Sequence, residues 1–152
     1  VSFKEAMGQE HREYQQQVVA NAAVLANRLQ EHGFRIVSGG TDNHLMLIDL
    51  KSKEITGKEA ERLLEDAGLT VNKNAIPFDT RSRFVTGGIR LGTPTVTTRG
   101  LKEPEMIRIA DWIERVLSSR QPAEIGLVCQ EVRELCQTLP LYPEIERDES
   151  LV

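Results

Sequence analysis

The pattern of hydrophobic and polar positions predicts four helices in this chain. In each of them apolar residues recur every three or four positions, the spacing that places side chains on one face of a helix. The four segments span residues 10–32, 56–68, 104–117 and 125–139. The first two patterns end at Gly33 and Gly68, a residue at which helices commonly stop. Thr56 and Glu59 have the spacing of a capping box at the start of the second helix.

Strand-like patterns lie between these helices. Residues 34–37 alternate between polar and apolar, and residues 44–50 are apolar on both alternating faces, as in a strand covered on each side. The turn-forming residues 38–43 between them indicate a hairpin. Residues 69–71 predict a short strand, and a further strand precedes the helix at 104–117. Because hairpin and crossover connections are mixed, with helices on one face, the pattern predicts an α+β sandwich.

One segment, residues 72–83, has no periodicity. Turn-forming residues collect in it around Pro77 and Asp79. Loops of this kind carry binding and catalytic residues more often than buried strands do. This loop is therefore the first place to expect functional residues.

The composition is typical of one ordinary globular domain. The chain has 152 residues, enough for one sizeable core, with 39% hydrophobic and 28% charged residues. Its net charge of −4 argues against a nucleic-acid partner. No apolar run approaches the roughly 18 residues that cross a bilayer, and the N-terminal residues lack the apolar core of a signal peptide. These features predict a cytoplasmic protein without a nucleic-acid or membrane partner.

The cysteine and histidine positions indicate neither a disulfide nor a metal site. Cys129 and Cys136 share a predicted helix face but lie about 10 Å apart along its axis, beyond disulfide reach. They are predicted to be free, buried thiols. His11, His32 and His44 have no metal-ligand spacing with each other or with the cysteines.

Arg90 is the strongest candidate for a binding residue. It lies between Ile89 and Leu91 in a strand-like stretch, so its guanidinium is predicted to be partly shielded from water. A shielded guanidinium needs a planar anion, which its forked donors can bind bidentately. The anion could be a ligand carboxylate or an internal Asp or Glu, and the pattern alone favours the internal partner. Gly87 and Gly88 permit close backbone approach or mark an ordinary bulge, but they do not form a dinucleotide fingerprint.

Other polar residues carry weaker signals. Asn72 and Asn74 are predicted to lie just past a strand end, where asparagine forms turns more often than it binds ligands. Lys73 shows no sign of the apolar surroundings that activate a Schiff-base lysine. Residues 42–44 resemble a charged turn more than an acid–base pair. No Ser-His-Asp or Cys-His arrangement fits the spacing.

Three longer motifs give a sharper prediction. Residues 36–50 read IVSGGTDNHLMLIDL, residues 56–79 read TGKEAERLLEDAGLTVNKNAIPFD, and residues 84–100 read FVTGGIRLGTPTVTTRG. In this order they resemble the C-terminal part of serine hydroxymethyltransferase, and the resemblance extends from the N-terminal region to about Tyr142. It implies the small C-terminal α+β domain of a fold-type I pyridoxal phosphate enzyme, with helices on one face of a mainly antiparallel sheet.

The resemblance also implies a reaction and its cofactors. Members of the family interconvert serine plus tetrahydrofolate with glycine plus 5,10-methylenetetrahydrofolate, a step of one-carbon metabolism and glycine biosynthesis. Pyridoxal 5'-phosphate is the cofactor and tetrahydrofolate the co-substrate. The complete enzyme is expected to be a homodimer or a larger homo-oligomer.

Individual residues match the family's binding positions. By this resemblance, Arg90 binds the α-carboxylate of the amino-acid substrate. Asn74 matches a residue that contacts the pterin of folate, and Ser82, Arg83 and Phe84 match a short folate-contact segment. The family commonly has proline where this chain has Arg83, which is longer, charged and free in φ. A milder departure is a glycine in the Thr-Gly-Gly run before Ile-Arg, where the family usually has serine.

The sequence also lacks motifs of the family. The Schiff-base lysine of the family lies in a Thr-His-Lys motif, which these 152 residues do not contain, and the other cofactor-binding and catalytic motifs are missing as well. The chain is therefore predicted to be a C-terminal fragment with no catalytic residue of its own, unable to retain pyridoxal 5'-phosphate and inactive alone. Residues 1–33 are predicted as a long connecting helix, 34–142 as the C-terminal domain and 143–152 as a flexible tail. The alternative is a stand-alone, non-catalytic module that binds a small molecule or a protein partner.

Overall fold

The computed structural model describes residues 1–139, which form six α-helices and a four-stranded sheet. The helices are α1 (Ser2–Ala6), α2 (Gln9–Glu31), α3 (Gly57–Asp66), α4 (Pro94–Thr98), α5 (Glu103–Ser119) and α6 (Pro122–Thr138). The strands are β1 (Arg35–Ile36), β2 (Leu45–Asp49), β3 (Asn72–Asn74) and β4 (Gly88–Gly92), and a single 3-10 turn spans Lys51–Lys53. The predicted tail at residues 143–152 lies outside the described residues.

The four helices predicted from periodicity are confirmed as α2, α3, α5 and α6. Their ends follow local chemistry, because Thr56 Oγ1 accepts the N–H of Glu59 at 3.1 Å and Gly33 and Gly68 each adopt a φ of 80° after a helix. Prolines occupy the first turns of α5 and α6. The five-residue helix α4 was not predicted, and α1 and α2 are two separate helices within residues 1–33, which the sequence analysis assigned to one long connecting helix.

The sheet has the order β1-β2-β4-β3, and each pair of neighbours is antiparallel. This confirms a small α+β domain with an antiparallel sheet, and the hairpin of β1 and β2 is as predicted. The strand before the loop, β3, begins three residues later than predicted. Residues 69–71 are not a strand, because Leu69 and Val71 instead pack against the core, and pairing with β4 begins only at Asn72.

The sheet is covered by helices on one face only. Met46, Ile48, Ile89 and Leu91 point into a buried core shared with the helices. Trp112 on α5 is buried there at 3% exposure. The prediction that residues 44–50 are covered on both sides is wrong. The other face, called here the open face, carries Arg35, Leu47, Asp49, Asn72, Asn74 and Arg90.

The next features are membrane-spanning helices, groups of metal ligands and the two cysteines. None of the helices in residues 1–139 is long and apolar enough to cross a membrane. The described part of the chain contains no group of three or more His, Cys, Asp or Glu residues that could hold a metal ion. Cys129 and Cys136 are free thiols, but both are partly exposed rather than buried as predicted, because only one side of α6 packs against the domain.

Candidate functional site

Arg90 lies at the centre of the candidate site on the open face. It is the middle residue of β4, and the register pairs it with Leu47 on β2 and Asn72 on β3. Directly paired residues point to the same side of a sheet, so these three side chains are neighbours. Gly88 and Gly92, two positions before and after Arg90, add no side chains to this face. The guanidinium therefore has no side-chain neighbour along its own strand.

The prediction that Arg90 is shielded from water is wrong. Strand alternation turns Ile89 and Leu91 toward the helices, where they are 0% and 7% exposed, and turns Arg90 toward solvent. Within residues 1–139 Arg90 forms no salt bridge. Asp49, the carboxylate on the same face, is already paired with Arg35 at 2.6 Å. Arg90 is thus available to a ligand anion.

Asparagine side chains flank Arg90 on β3. Asn72 and Asn74 lie within this strand, not beyond its end as predicted, and alternation places both on the open face. Asn74 pairs with Gly88 and is therefore a diagonal neighbour of Arg90. Its side-chain nitrogen donates to the Ala75 carbonyl at 2.8 Å, which fixes the amide and leaves its oxygen as an acceptor.

Asp79 organises the loop between β3 and β4. Its carboxylate accepts backbone N–H groups from Gly87 at 2.6 Å, Arg81 at 3.0 Å and Ile76 at 3.4 Å. These hydrogen bonds, first the one from Arg81, lower the pKa of Asp79 below its ordinary value of 3.8. The carboxylate is therefore ionised at neutral pH and ties both ends of the loop together.

The end of this loop is locked between α3 and β2. The N–H of Gly57 donates to Thr86 O at 3.0 Å, and the N–H of Lys58 donates to Val85 O at 2.9 Å, so the loop satisfies two donors at the α3 N-terminus. Position 57 must be glycine, because a Cβ would collide with Thr86 Oγ1 and the Gly88 carbonyl. Thr86 itself has a φ of 56° although it is β-branched and 3% exposed. Strained and buried backbone thus leads directly into β4.

Ser82, Arg83 and Phe84, the predicted folate-contact segment, form an exposed turn. The carbonyl of Ser82 accepts N–H groups from Val85 at 3.0 Å and Thr86 at 2.9 Å. All three side chains are exposed, and the Phe84 ring is 79% accessible. They belong to the same loop that Asp79 fixes.

Lys73 does not lie on the open face. It pairs with Ile89, so alternation turns it toward the helix-covered side of the sheet. There its ammonium contacts Glu61 on α3 at 2.8 Å, and this hydrogen bond lowers the pKa of Glu61. Lys73 is therefore the partner of Glu61 in an ion pair, which the sequence did not indicate.

A comparison with known families decides the identity of this fold. The family model described as serine hydroxymethyltransferase matches residues 1–113. The chain belongs to the serine hydroxymethyltransferase family. The match includes Arg90, Asn74 and the segment from Ser82 to Phe84, so every candidate position lies within the part of the chain that resembles serine hydroxymethyltransferase. The family is one of pyridoxal phosphate-dependent transferases, with functions in one-carbon metabolism.

The described residues of this member of the serine hydroxymethyltransferase family do not build a pyridoxal phosphate site by themselves. The cofactor needs a lysine that can form a Schiff base next to the substrate. Lys73 is held by Glu61 on the far face of the sheet, and Lys53 is held by Glu114 at 2.9 Å. Beside Arg90 the open face presents amides and Leu47 instead. Residues other than those described would have to hold the cofactor.

Two features of the site escaped the sequence analysis. Pro77 and Asp79 signalled a turn, but nothing in the sequence indicated that one carboxylate would bind three separate backbone donors. The left-handed conformation of Phe78, with a φ of 59°, was also missed. The Pro-Phe-Asp order was its only signal, because proline and a following residue of positive φ characterise type II turns.

Proposed function

We propose that this chain supplies the amino-acid carboxylate site and part of the folate site of a serine hydroxymethyltransferase. The proposed reaction converts serine and tetrahydrofolate into glycine, 5,10-methylenetetrahydrofolate and water, and its reverse. The observation that carries the proposal is the guanidinium of Arg90, which is exposed on the open face and has no salt bridge with residues 1–139.

Arg90 has the chemistry of a carboxylate clamp. Its planar donors bind both oxygens of a carboxylate, which fixes the orientation of the bound amino acid as well as its position. Orientation is what the reaction requires from this residue, because proximity and alignment lower the barrier of the following step. The rigid strand β4, paired on both sides, holds the clamp in place.

Asn74, Ser82, Arg83 and Phe84 are proposed to bind tetrahydrofolate. Asn74 offers an amide oxygen beside Arg90, which suits the hydrogen-bond donors of a pterin ring. The Asp79-fixed loop presents the other three residues to solvent on the connection between β3 and β4. Amino acid and folate would then bind side by side, as transfer of a one-carbon unit between them requires.

The first prediction concerns Arg90 in an active chimera, in which residues 1–113 replace the matching region of a complete serine hydroxymethyltransferase. Arg90→Ala is expected to raise the KM for serine roughly 10- to 100-fold, the worth of a charged hydrogen-bonded pair. Arg90→Lys is expected to recover part of this loss, because a lysine keeps the charge and loses the fork. Steady-state kinetics with serine and tetrahydrofolate as varied substrates provide the measurement.

A matched control is Arg12→Ala, which removes an exposed arginine that lies on α2 and not in the sheet. It should leave both KM values unchanged, and Arg90→Ala should leave the KM for tetrahydrofolate unchanged. An unaltered KM for serine in Arg90→Ala would refute the clamp.

The second prediction is that the 152-residue chain alone has no hydroxymethyltransferase activity. Its sequence has no Thr-His-Lys motif, and Lys53 and Lys73 are both engaged in ion pairs. Pyridoxal 5'-phosphate is added to the purified chain, which is then reduced with borohydride and digested. Peptide mass spectrometry should find no single preferred pyridoxylated lysine. One strongly labelled lysine, together with conversion of serine to glycine by the chain before reduction, would contradict the prediction.

A further inference from the structure

Phe78 combines two features that packing does not explain. Its φ of 59° lies in the left-handed region, where a bulky side chain is an outlier and destabilises the fold. Its side chain is fully exposed, so the ring gains no burial from the described residues in return. Strained residues of this kind persist where the surrounding structure forces them and are concentrated at ligand sites.

The backbone around Phe78 enforces this conformation. Residues 76–79 form a turn in which the N–H of Asp79 donates to Ile76 O at 3.1 Å. Pro77 at the second position and a positive φ at the third are the marks of a type II turn, whose third position favours glycine or asparagine. The Asp79 carboxylate then binds the N–H groups of Ile76 and Gly87. The ring is therefore presented by a fixed turn.

A second exposed turn lies in the same loop. It carries Arg83 and Phe84, and Asp79 binds the N–H groups of Arg81 and Gly87 on either side of it. Arg83 forms no salt bridge within residues 1–139. The loop thus offers exposed aromatic rings together with a guanidinium. This combination complements a ligand that has a planar conjugated ring and a carboxylate.

We propose that Phe78 is a folate-binding residue whose ring stacks on the aminobenzoyl group of tetrahydrofolate, while Arg83 binds a glutamyl carboxylate of the same molecule. The inference rests on the proposed role of this loop in folate binding. It adds a ring contact at a position to which the family resemblance assigns no role. It also names the glutamyl carboxylate as the group that Arg83, which stands where the family commonly has proline, would bind.

The test uses p-aminobenzoyl-L-glutamate, which has the ring and carboxylates but no pterin. Binding to the full 152-residue chain is followed by NMR titration. Phe78→Ala is expected to weaken binding roughly tenfold, the usual worth of one aromatic stacking contact. Arg83→Ala should weaken binding of this probe but not of p-aminobenzamide, which lacks the carboxylates. The matched control is Phe3→Ala, which removes a ring that is 91% exposed on α1 and should change nothing.

Unfolding in urea provides the second readout. Phe78→Gly should raise the midpoint, because glycine adopts positive φ without strain, and yet should weaken binding. Phe78→Ala keeps the strain and removes a ring that packs on nothing described, so its midpoint should remain that of the unmodified chain. A lower midpoint for Phe78→Ala, equal affinity in both Phe78 variants and the unmodified chain, or no binding of the probe by the unmodified chain would each overturn the proposal.

The two proposals fail separately. The KM for serine in the chimera tests Arg90 and does not involve Phe78, whereas binding of p-aminobenzamide, which has no carboxylate for Arg90 to bind, tests the ring of Phe78. A normal KM for serine in Arg90→Ala, together with a Phe78 effect, would refute the clamp alone. The opposite pattern would refute the ring contact alone.

Discussion

At the scale of single residues, Asp79 holds the loop of the candidate site together. Three backbone N–H groups converge on its carboxylate, and none of these donors belongs to a helix or strand. A carboxylate can satisfy several such donors where a neutral amide can satisfy fewer. The conformation of Phe78 and the position of Arg83 therefore depend on one ionised group.

The third prediction is that Asp79→Asn lowers the stability of the chain at pH 7 and weakens folate binding. The pKa of Asp79 is lowered in the folded state, so its contribution is complete above the ordinary value of 3.8 and is lost as pH falls through the lower, folded-state value. The difference in urea midpoint between Asp79→Asn and the unmodified chain should accordingly be large at pH 7 and shrink below pH 3.8.

Asp42→Asn is the control for this experiment, since Asp42 lies in the exposed turn between β1 and β2. Its midpoint should track that of the unmodified chain at both pH values. If the loss in Asp79→Asn were the same at pH 7 and at low pH, the ionised form of Asp79 would not be what holds the loop.

At the scale of secondary-structure elements, the helices could be predicted and the edge of the sheet could not. Helix periodicity is local, so α2, α3, α5 and α6 follow from the sequence. Strand β3 consists of Asn-Lys-Asn, residues with low strand propensity, and it exists because β4 offers an edge to pair with. Such a strand is specified by tertiary pairing, which no window of sequence contains.

The same limit explains the error at Arg90. In the strand, Arg90 points to the opposite face of the sheet from Ile89 and Leu91. Whether that second face is covered depends on where α2, α3 and α5 pack, and they all lie on the other side. Periodicity could not name a partner for Arg90, and the substrate carboxylate that the family resemblance implies is part of the proposed function.

At the scale of the whole molecule, polar contacts on the helix side join α5 to segments that lie far from it in the sequence. Asp111 on α5 accepts hydrogen bonds from Arg28 Nε at 2.7 Å and interacts with His32 Nε2 at 2.6 Å. Both partners belong to the α2 region, about 80 residues earlier in the sequence, and such distant contacts require the complete fold. Lys53 adds a link to Glu114 at 2.9 Å.

The last prediction concerns the contribution of Asp111 to the stability of the fold. Partial burial raises its pKa, but the hydrogen bonds from Arg28 and His32 outweigh burial, so the pKa in the folded chain lies below 3.8. Stability from this group is therefore present above that pH and lost below it. Since the carboxylate is 37% exposed, solvent screening limits the expected loss in Asp111→Asn to roughly 1 kcal/mol in the free energy of unfolding at pH 7.

The comparison variant is Asp66→Asn, which breaks the exposed pair of Asp66 with Arg62 within α3. A pair four residues apart on one helix contributes less than about 0.5 kcal/mol, so this loss should be the smaller one. Urea unfolding at pH 7 measures both variants. Equal losses would mean that the contacts of Asp111 do not help to hold α2 against α5. A larger loss in Asp111→Asn would show that they do. Ligand binding by Arg90 should be unaffected in this variant, because Arg90 lies on the opposite face of the sheet.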